Sequence, residues 1–207
     1  MEGIKNLIID FGGVIINLTR NRCVEAFESF GVPDVRDCIL NSKDLFMQIE
    51  MGTITSAEFR DGIRHLTQQR LTDEQIDAAW IAMLDDIPAY KLDLLMDLRS
   101  RYNTMLLSNT NEIHWQWAEK NSFAYKGHHA EDFFGKIYLS YELNMVKPNA
   151  DIFEYVLKDA GINPEETLFL DDAVPNCRTA EALGIRTYTP QPREDWSHLF
   201  GIMNHKS

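Results

Sequence analysis

The chain alternates short apolar runs with longer stretches in which apolar residues recur at helical spacing. Four runs bounded by turn residues read as strands: Asn6 to Asp10 (NLIID), Asn103 to Asn109 (NTMLLSN), Gly135 to Ser140 (GKIYLS) and Glu166 to Asp172 (ETLFLDD). Ile185 to Thr189 (IRTYT) adds a fifth. Short strands alternating with helices imply a parallel sheet covered on both faces. PAYKLDLLMDLRSRY opens with Pro88 in a first helical turn and sets Leu92, Leu95, Met96 and Leu98 along one face, which predicts a helix lying on that sheet. NADIFEYVLKDAG starts at a capping Asn149 and stops at Gly161, and NCRTAEALG stops at Gly184, so both read as crossover helices.

Residues 17–87, between the first two strands, carry no strand pattern. Two capping boxes, Thr55 with Glu58 and Thr72 with Gln75, mark helix starts. Phe59, Ile63 and Leu66 form one apolar stripe, and Ile76, Ala79, Trp80, Met83 and Leu84 form another. A connection of this length needs its own packed core. The expected fold is therefore α/β: a Rossmann-like, three-layer, doubly wound parallel sheet built from residues 1–16 and 88–207, with an inserted all-helical cap over residues 17–87. No repeat or low-complexity segment interrupts it.

Composition narrows the function. The 207 residues are 44% hydrophobic and 25% charged, ordinary for a globular chain with a real core. A net charge of -12 argues against nucleic acid or an anionic membrane as partner, since both require clustered cations. A small anionic substrate remains compatible, because a metal or a few local cations reverse the field within one cleft. Cys23, Cys38 and Cys177 are odd in number and include no CxxC pair, which predicts neither a disulfide framework nor a zinc site. With no signal-type or bilayer-length apolar run, the chain is expected to be unprocessed and cytoplasmic.

The predicted strands end in polar chemistry: the first in Asp10, the second in Ser108, Asn109 and Thr110, the fourth in Asp171 and Asp172. Ligands of open α/β sheets bind at such carboxyl ends. Lys147 stands ahead of Pro148, which favours an extended residue before it. If these ends converge, three carboxylates, an ammonium and a hydroxyl share a cleft. Crowded carboxylates stay ionised most readily around a hard cation such as Mg2+, and that cation with Lys147 and Ser108 would attract a phosphate.

In order and in spacing, DFGGV, LLSNTN, MVKP and LFLDDAVPN resemble the four motifs of the haloacid dehalogenase superfamily of hydrolases, and the helical insertion sits where that family inserts its type 1 cap. The resemblance implies that Asp10 is a nucleophile forming an aspartyl-phosphate. Ser108 and Asn109 would contact the phosphoryl group together with Lys147, which would also restrain Asp10. Mg2+ would be held by Asp10, the Gly12 carbonyl and Asp172, with Asp171 bound directly or through water. The implied reaction is Mg2+-dependent hydrolysis of a small phosphorylated metabolite.

Gly12 departs from the pattern, because phosphatases of the family carry a second aspartate two residues after the nucleophile. General acid–base help is worth roughly 10^2 to 10^4 in rate, so either the leaving group is a good one or another residue acts. A subgroup that includes α-D-glucose-1-phosphate phosphatases reads similarly here, which supports a sugar phosphate such as glucose-1-phosphate. The alternatives are a metal-independent 2-haloacid dehalogenase, disfavoured by the retained Asp171 and Asp172, and a catalytically degenerate binding protein.

Other residues have plainer readings. His128 and His129 are expected to be solvated in a loop, and His114 to be a surface or capping residue rather than the missing acid. Trp115 and Trp117 lie two positions apart and face different sides of a helix, so at least one should be packing rather than stacking on a sugar. Asn176 would orient the metal acids or cap its helix. Thr110 would contact phosphate or end its strand. Asn17, Thr19, Arg20 and Asp86 are candidates for cleft residues near the cap hinges.

Overall fold

The computed structural model describes residues 1–36 and 43–202; Cys38 lies outside them. Five parallel strands, β1 (Asn6–Ile9), β2 (Asn103–Ser108), β3 (Lys136–Leu139), β4 (Thr167–Leu170) and β5 (Arg186–Tyr188), form one sheet in the order β3-β2-β1-β4-β5. The chain moves from β1 to one neighbour and later crosses to the other, so the sheet is doubly wound about its first strand.

Strand periodicity sorts the core into two faces. Leu7, Ile9, Leu106, Leu168 and Leu170 pack on one side, with Leu92, Leu95 and Leu98 of the helix Ala89–Arg101 and with Trp196 and Phe200 near the end of the chain. Ile8, Met105, Leu107 and Phe169 face the other way, against Ile152, Phe153 and Val156 of the helix Ala150–Ala160 and Cys177 and Ala180 of the helix Val174–Ala182. Pro88 stands just before its helix, extended with ψ 132°, and Asn149 occupies a cap position without a side-chain cap bond. Gly161 and Gly184 follow their helices at positive φ, as predicted.

Between β1 and the helix Ala89–Arg101 lie four described helices, α1 (Asn21–Ser29), α2 (Lys43–Met51), α3 (Ser56–Thr67) and α4 (Asp73–Ile81). Both capping boxes form. Phe27, Ile49, Phe59, Ile63, Ile76 and Trp80 gather into a separate apolar cluster that Ile113 joins from the core side. Two crossings join these helices to the sheet: Leu18 bridges Leu84, and Thr19 N–H donates to Met83 O at 2.8 Å while Asp85 N–H donates to Asn17 O at 2.9 Å. Asp85 also accepts from Thr19 Oγ1 at 2.7 Å, Arg22 Nη1 at 2.6 Å and Arg193 Nη2 at 2.8 Å.

Candidate active site

Asp10 follows β1, Ser108 closes β2 and Asp171 follows β4. Because these strands are neighbours, their carboxyl ends open on one spot. Asp10 N–H donates to Leu170 O at 2.9 Å and Asp171 N–H to Tyr188 O at 3.2 Å, so both acids leave from backbone that the sheet still holds.

Lys147 enters from the loop ahead of the helix Ala150–Ala160, and its peptide bond to Pro148 is cis. Its Nζ donates to Asp10 Oδ1 at 2.7 Å, Asp171 Oδ2 at 2.7 Å and Leu107 O at 2.9 Å, three acceptors for the three protons of an ammonium. Burial opposes its charge, but Asp10 and Asp171 outweigh burial and hold the lysine above its ordinary pKa. Burial pushes the Asp10 carboxyl up to about 7; Lys147 pulls against that rise and Asp171 adds to it. Asp172 is raised as well, by partial burial first and then by Asp171.

This strain between acids is what a divalent cation relieves. One carboxylate oxygen from each of Asp10, Asp171 and Asp172 lies within 4.8 Å of the others, a hard oxygen set that fits Mg2+. Asp171 is already heavily engaged: Oδ1 accepts from Ala173 N–H at 2.7 Å, and Asn176 Nδ2 donates to Oδ1 and Oδ2 at 3.1 and 2.9 Å. Of its two sequence readings, Asn176 therefore takes the one that orients the acids. Asp172 packs on the loop after β1, where a Cβ on Gly13 would stand 2.4 Å from its Oδ2 and φ is +82°, so only glycine fits.

Ser108 Oγ lines the cleft, is buried and has no hydrogen-bond partner among the described residues. An unpaired buried hydroxyl costs about 1–3 kcal/mol, a cost that a ligand oxygen accepting its proton would remove. The Asn109 side chain differs from expectation. Its Nδ2 donates to Lys147 O at 2.8 Å and its Oδ1 accepts Lys147 N–H at 2.9 Å, so the amide holds the lysine backbone. Thr110 lines the cleft, while its N–H donates to Ser140 Oγ at 3.0 Å.

These groups floor a cavity of about 640 Å³ roofed by residues of α1, α2 and α4. Its aromatic wall comes from a residue that sequence reading placed only in a core stripe. Trp80 stacks on Phe46 at 5.0 Å and on His114 at 4.8 Å, and all three line the cavity. Trp115 instead packs edge-on against Phe11 at 5.8 Å within the core, and Trp117 packs against the same cluster. Both are packing residues. His114 is buried, not at the surface. Its Nε2 donates to Trp80 O at 3.0 Å, leaving Nδ1 to accept from Asn111 Nδ2 at 3.3 Å, and burial holds its pKa down to about 4. A neutral ring with both nitrogens engaged is a poor proton donor.

Of the hinge candidates, Arg20 lines the cavity, whereas Thr19 is tied to Asp85 and Asp86 is exposed elsewhere. Asn17 keeps a buried Oδ1 with no partner among the described residues. His128 and His129 belong to a turn, where His128 pairs with Tyr125 and His129 N–H donates to Asp132. Cys23 and Cys177 are buried free thiols. Glu50 and the buried Lys91 escaped sequence reading. Lys91 Nζ donates to Val14 O at 2.5 Å, in the loop that follows Asp10. Among the described residues no helix is long and apolar enough to cross a membrane.

Comparison with known proteins agrees with this geometry. A family model of haloacid dehalogenase-like hydrolases matches residues 4–184. The D-ribitol-5-phosphate phosphatase of Bacteroides thetaiotaomicron is 36% identical over 204 residues, covering 97% of this chain and 99% of its own. The crystal structure of a HAD family enzyme from the same organism, in complex with magnesium and inorganic phosphate, superposes with a TM-score of 0.92 at 55% identity, covering 95% of this chain and 99% of that one. A predicted HAD-like hydrolase from Porphyromonas gingivalis superposes with a TM-score of 0.88 at 38% identity, over 96% of each chain. The chain belongs to the haloacid dehalogenase-like hydrolases, and its kinship lies with their phosphatases.

Proposed function

We propose that the chain is a Mg2+-dependent phosphatase that hydrolyses a small sugar or polyol phosphate through an aspartyl-phosphate on Asp10. The observation that carries this reading is the Lys147 ammonium, 2.7 Å from both Asp10 and Asp171, beside the Ser108 hydroxyl, which has no partner among the described residues. The kinship to a D-ribitol-5-phosphate phosphatase supports a polyhydroxylated substrate, with glucose-1-phosphate as the cyclic counterpart that the motif pattern favours. An aromatic wall at Trp80 suits the apolar face of such a molecule.

Asp10 Oδ1 is held by Lys147, leaving Oδ2 to attack phosphorus. The P–O bond to the leaving group breaks, a phosphoaspartate forms, and water then attacks it to release phosphate and restore Asp10. Ser108 donates to a phosphoryl oxygen, Lys147 offsets its charge, and Asn109 holds Lys147 in place. Mg2+, held by Asp10, the Gly12 carbonyl and Asp172 with Asp171 direct or through water, supplies positive charge against the phosphoryl oxygens. Residues 17–87 act as the cap that covers the substrate over a core of residues 1–16 and 88–207. The reduced thiols of Cys23 and Cys177 and the acidic charge favour a cytoplasmic enzyme that does not bind nucleic acid.

Phosphate release from ribitol-5-phosphate, glucose-1-phosphate and other sugar phosphates, with Mg2+ or EDTA, tests the proposal beside Asp10→Asn. Release that requires both Mg2+ and Asp10 supports it. Release indifferent to either overturns it.

A further inference from the structure

The cavity holds one acid to which the reaction above gives no task. Glu50 lies one residue before the end of α2. Among the described residues lining the cavity, it is the one carboxyl that does not come from the sheet side. The aspartate expected two residues after the nucleophile is missing at Gly12, and a relative acts on ribitol-5-phosphate, whose primary alkoxide is a poor leaving group without a proton. We propose that Glu50 takes over from the roof of the cavity, donating its proton to the leaving oxygen and then accepting one from the attacking water. This rests on the phosphatase reading of the site.

Three hydrogen bonds hold the backbone that carries the acid. Ser140 Oγ donates to Glu50 O at 2.6 Å while accepting Thr110 N–H at 3.0 Å, which ties the Glu50 backbone to the loop that follows Ser108. Asn144 Nδ2 donates to Met51 O at 3.0 Å and Gly52 O at 3.3 Å. Gly52 has φ +69°, and a Cβ there would stand 2.0 Å from Tyr141 O, so backbone meets backbone at this contact. The end of α2 is seated on the core beside the second strand's loop, and Glu50 lines the same cavity as Asp10 and Ser108.

The environment suits the task. Burial pushes the Glu50 carboxyl up to about 7, while Arg20 and Lys147 pull it down, so both protonation states are available near neutrality, where acid–base catalysis is most effective. The other charged groups sharing the cavity are Arg36 beside α1 and the Asp10, Asp171 and Asp172 carboxylates below; His114 is held neutral. Protons balance over the cycle. As Asp10 displaces the leaving group, the Glu50 proton passes to the departing oxygen. The resulting carboxylate takes a proton from water as its oxygen attacks the phosphoaspartate, which returns Glu50 to its acid form.

Acid-quenched phosphoenzyme formation by Glu50→Gln, from ribitol-5-phosphate and from p-nitrophenyl phosphate, tests this. An alkyl ester needs the proton and a nitrophenyl ester barely does. The expected result is phosphorylation about 10^2-fold slower or more from the alkyl ester, far less slowing from the aryl ester, and partial rescue of the alkyl reaction by adding Gly12→Asp. In the unaltered enzyme, alkyl phosphorylation should fall as pH rises through about 7, and Glu50→Gln should flatten that fall. Equal slowing with both esters, or a raised KM with phosphorylation unslowed, would overturn the assignment and make Glu50 a binding or structural residue. The phosphatase reading fails separately, if Asp10→Asn still turns over p-nitrophenyl phosphate.

Discussion

Asn109 grips the backbone of Lys147 at both ends, donating to its carbonyl at 2.8 Å and accepting from its N–H at 2.9 Å. The ammonium that meets Asp10 is therefore aimed by a side chain at the end of the neighbouring strand. Asn109→Ala removes both bonds that position the lysine backbone without altering the lysine side chain. A misplacement of about 1 Å can cost about 10^2 in rate, so kcat should fall about 10- to 100-fold with the protein still folded. Steady-state kinetics beside thermal melting checks this, and an unchanged kcat would remove Asn109 from the machinery.

Ser108→Ala separates binding from stability. This buried hydroxyl has no partner among the described residues, so its loss should leave the melting temperature unchanged or higher. A hydrogen bond to a charged group is worth about 1.5–3 kcal/mol, so inhibition by inorganic phosphate should weaken about 10- to 100-fold. Titration with phosphate in the presence of Mg2+ reads the effect.

Removing the metal should expose the proton balance of Asp10. In the metal-free chain the Asp10 pKa is raised from 3.8 to about 7, chiefly by burial. Between those values the folded state binds more protons than the unfolded state, so this group's contribution to stability falls as pH rises through the window and its full cost is present above 7. Mg2+ requires the ionised form, so the melting-temperature gain on adding Mg2+ to EDTA-treated protein should be larger at pH 8 than at pH 5.5. A gain independent of pH would contradict this.

Lys91 is 1% exposed and is pulled down to about 8, chiefly by burial. Against its ordinary 10.5, that costs about 3 kcal/mol at neutral pH. The folded state binds fewer protons between about 8 and 10.5, so this contribution to stability rises with pH across that window. Val14 O also accepts from Trp196 Nε1 at 3.2 Å, so Lys91→Met leaves the carbonyl a partner. The variant should match or exceed the native chain in urea midpoint at pH 7, and its advantage should shrink by pH 10.

How much of this was readable follows from the range of each interaction. The strand-end residues Asp10, Ser108, Asp171 and Asp172 were legible because apolar runs bounded by polar residues are local signals, and a parallel sheet brings neighbouring ends together. Asn109 was found but given a different task, because its partner lies 38 residues away. Glu50 and Trp80 were not found as cleft residues. Each sits in an ordinary amphipathic helix, and only the seating of Gly52 on Tyr141 and the stack of Trp80 on His114 turn them toward the cavity. Lys91 interrupts an otherwise apolar face, and its acceptor, Val14 O, is backbone that no side-chain pattern reveals.

The phosphatase reading turns on whether Asp10 carries the phosphoryl group. In an acid-quenched single turnover with Mg2+ and ribitol-5-phosphate, peptide mass spectrometry should find one added phosphoryl group on Asp10, and none in Asp10→Asn or after EDTA. Phosphate released with no adduct on Asp10 at any quench time, or an adduct on another residue, would rule out Asp10 as the phosphoryl carrier.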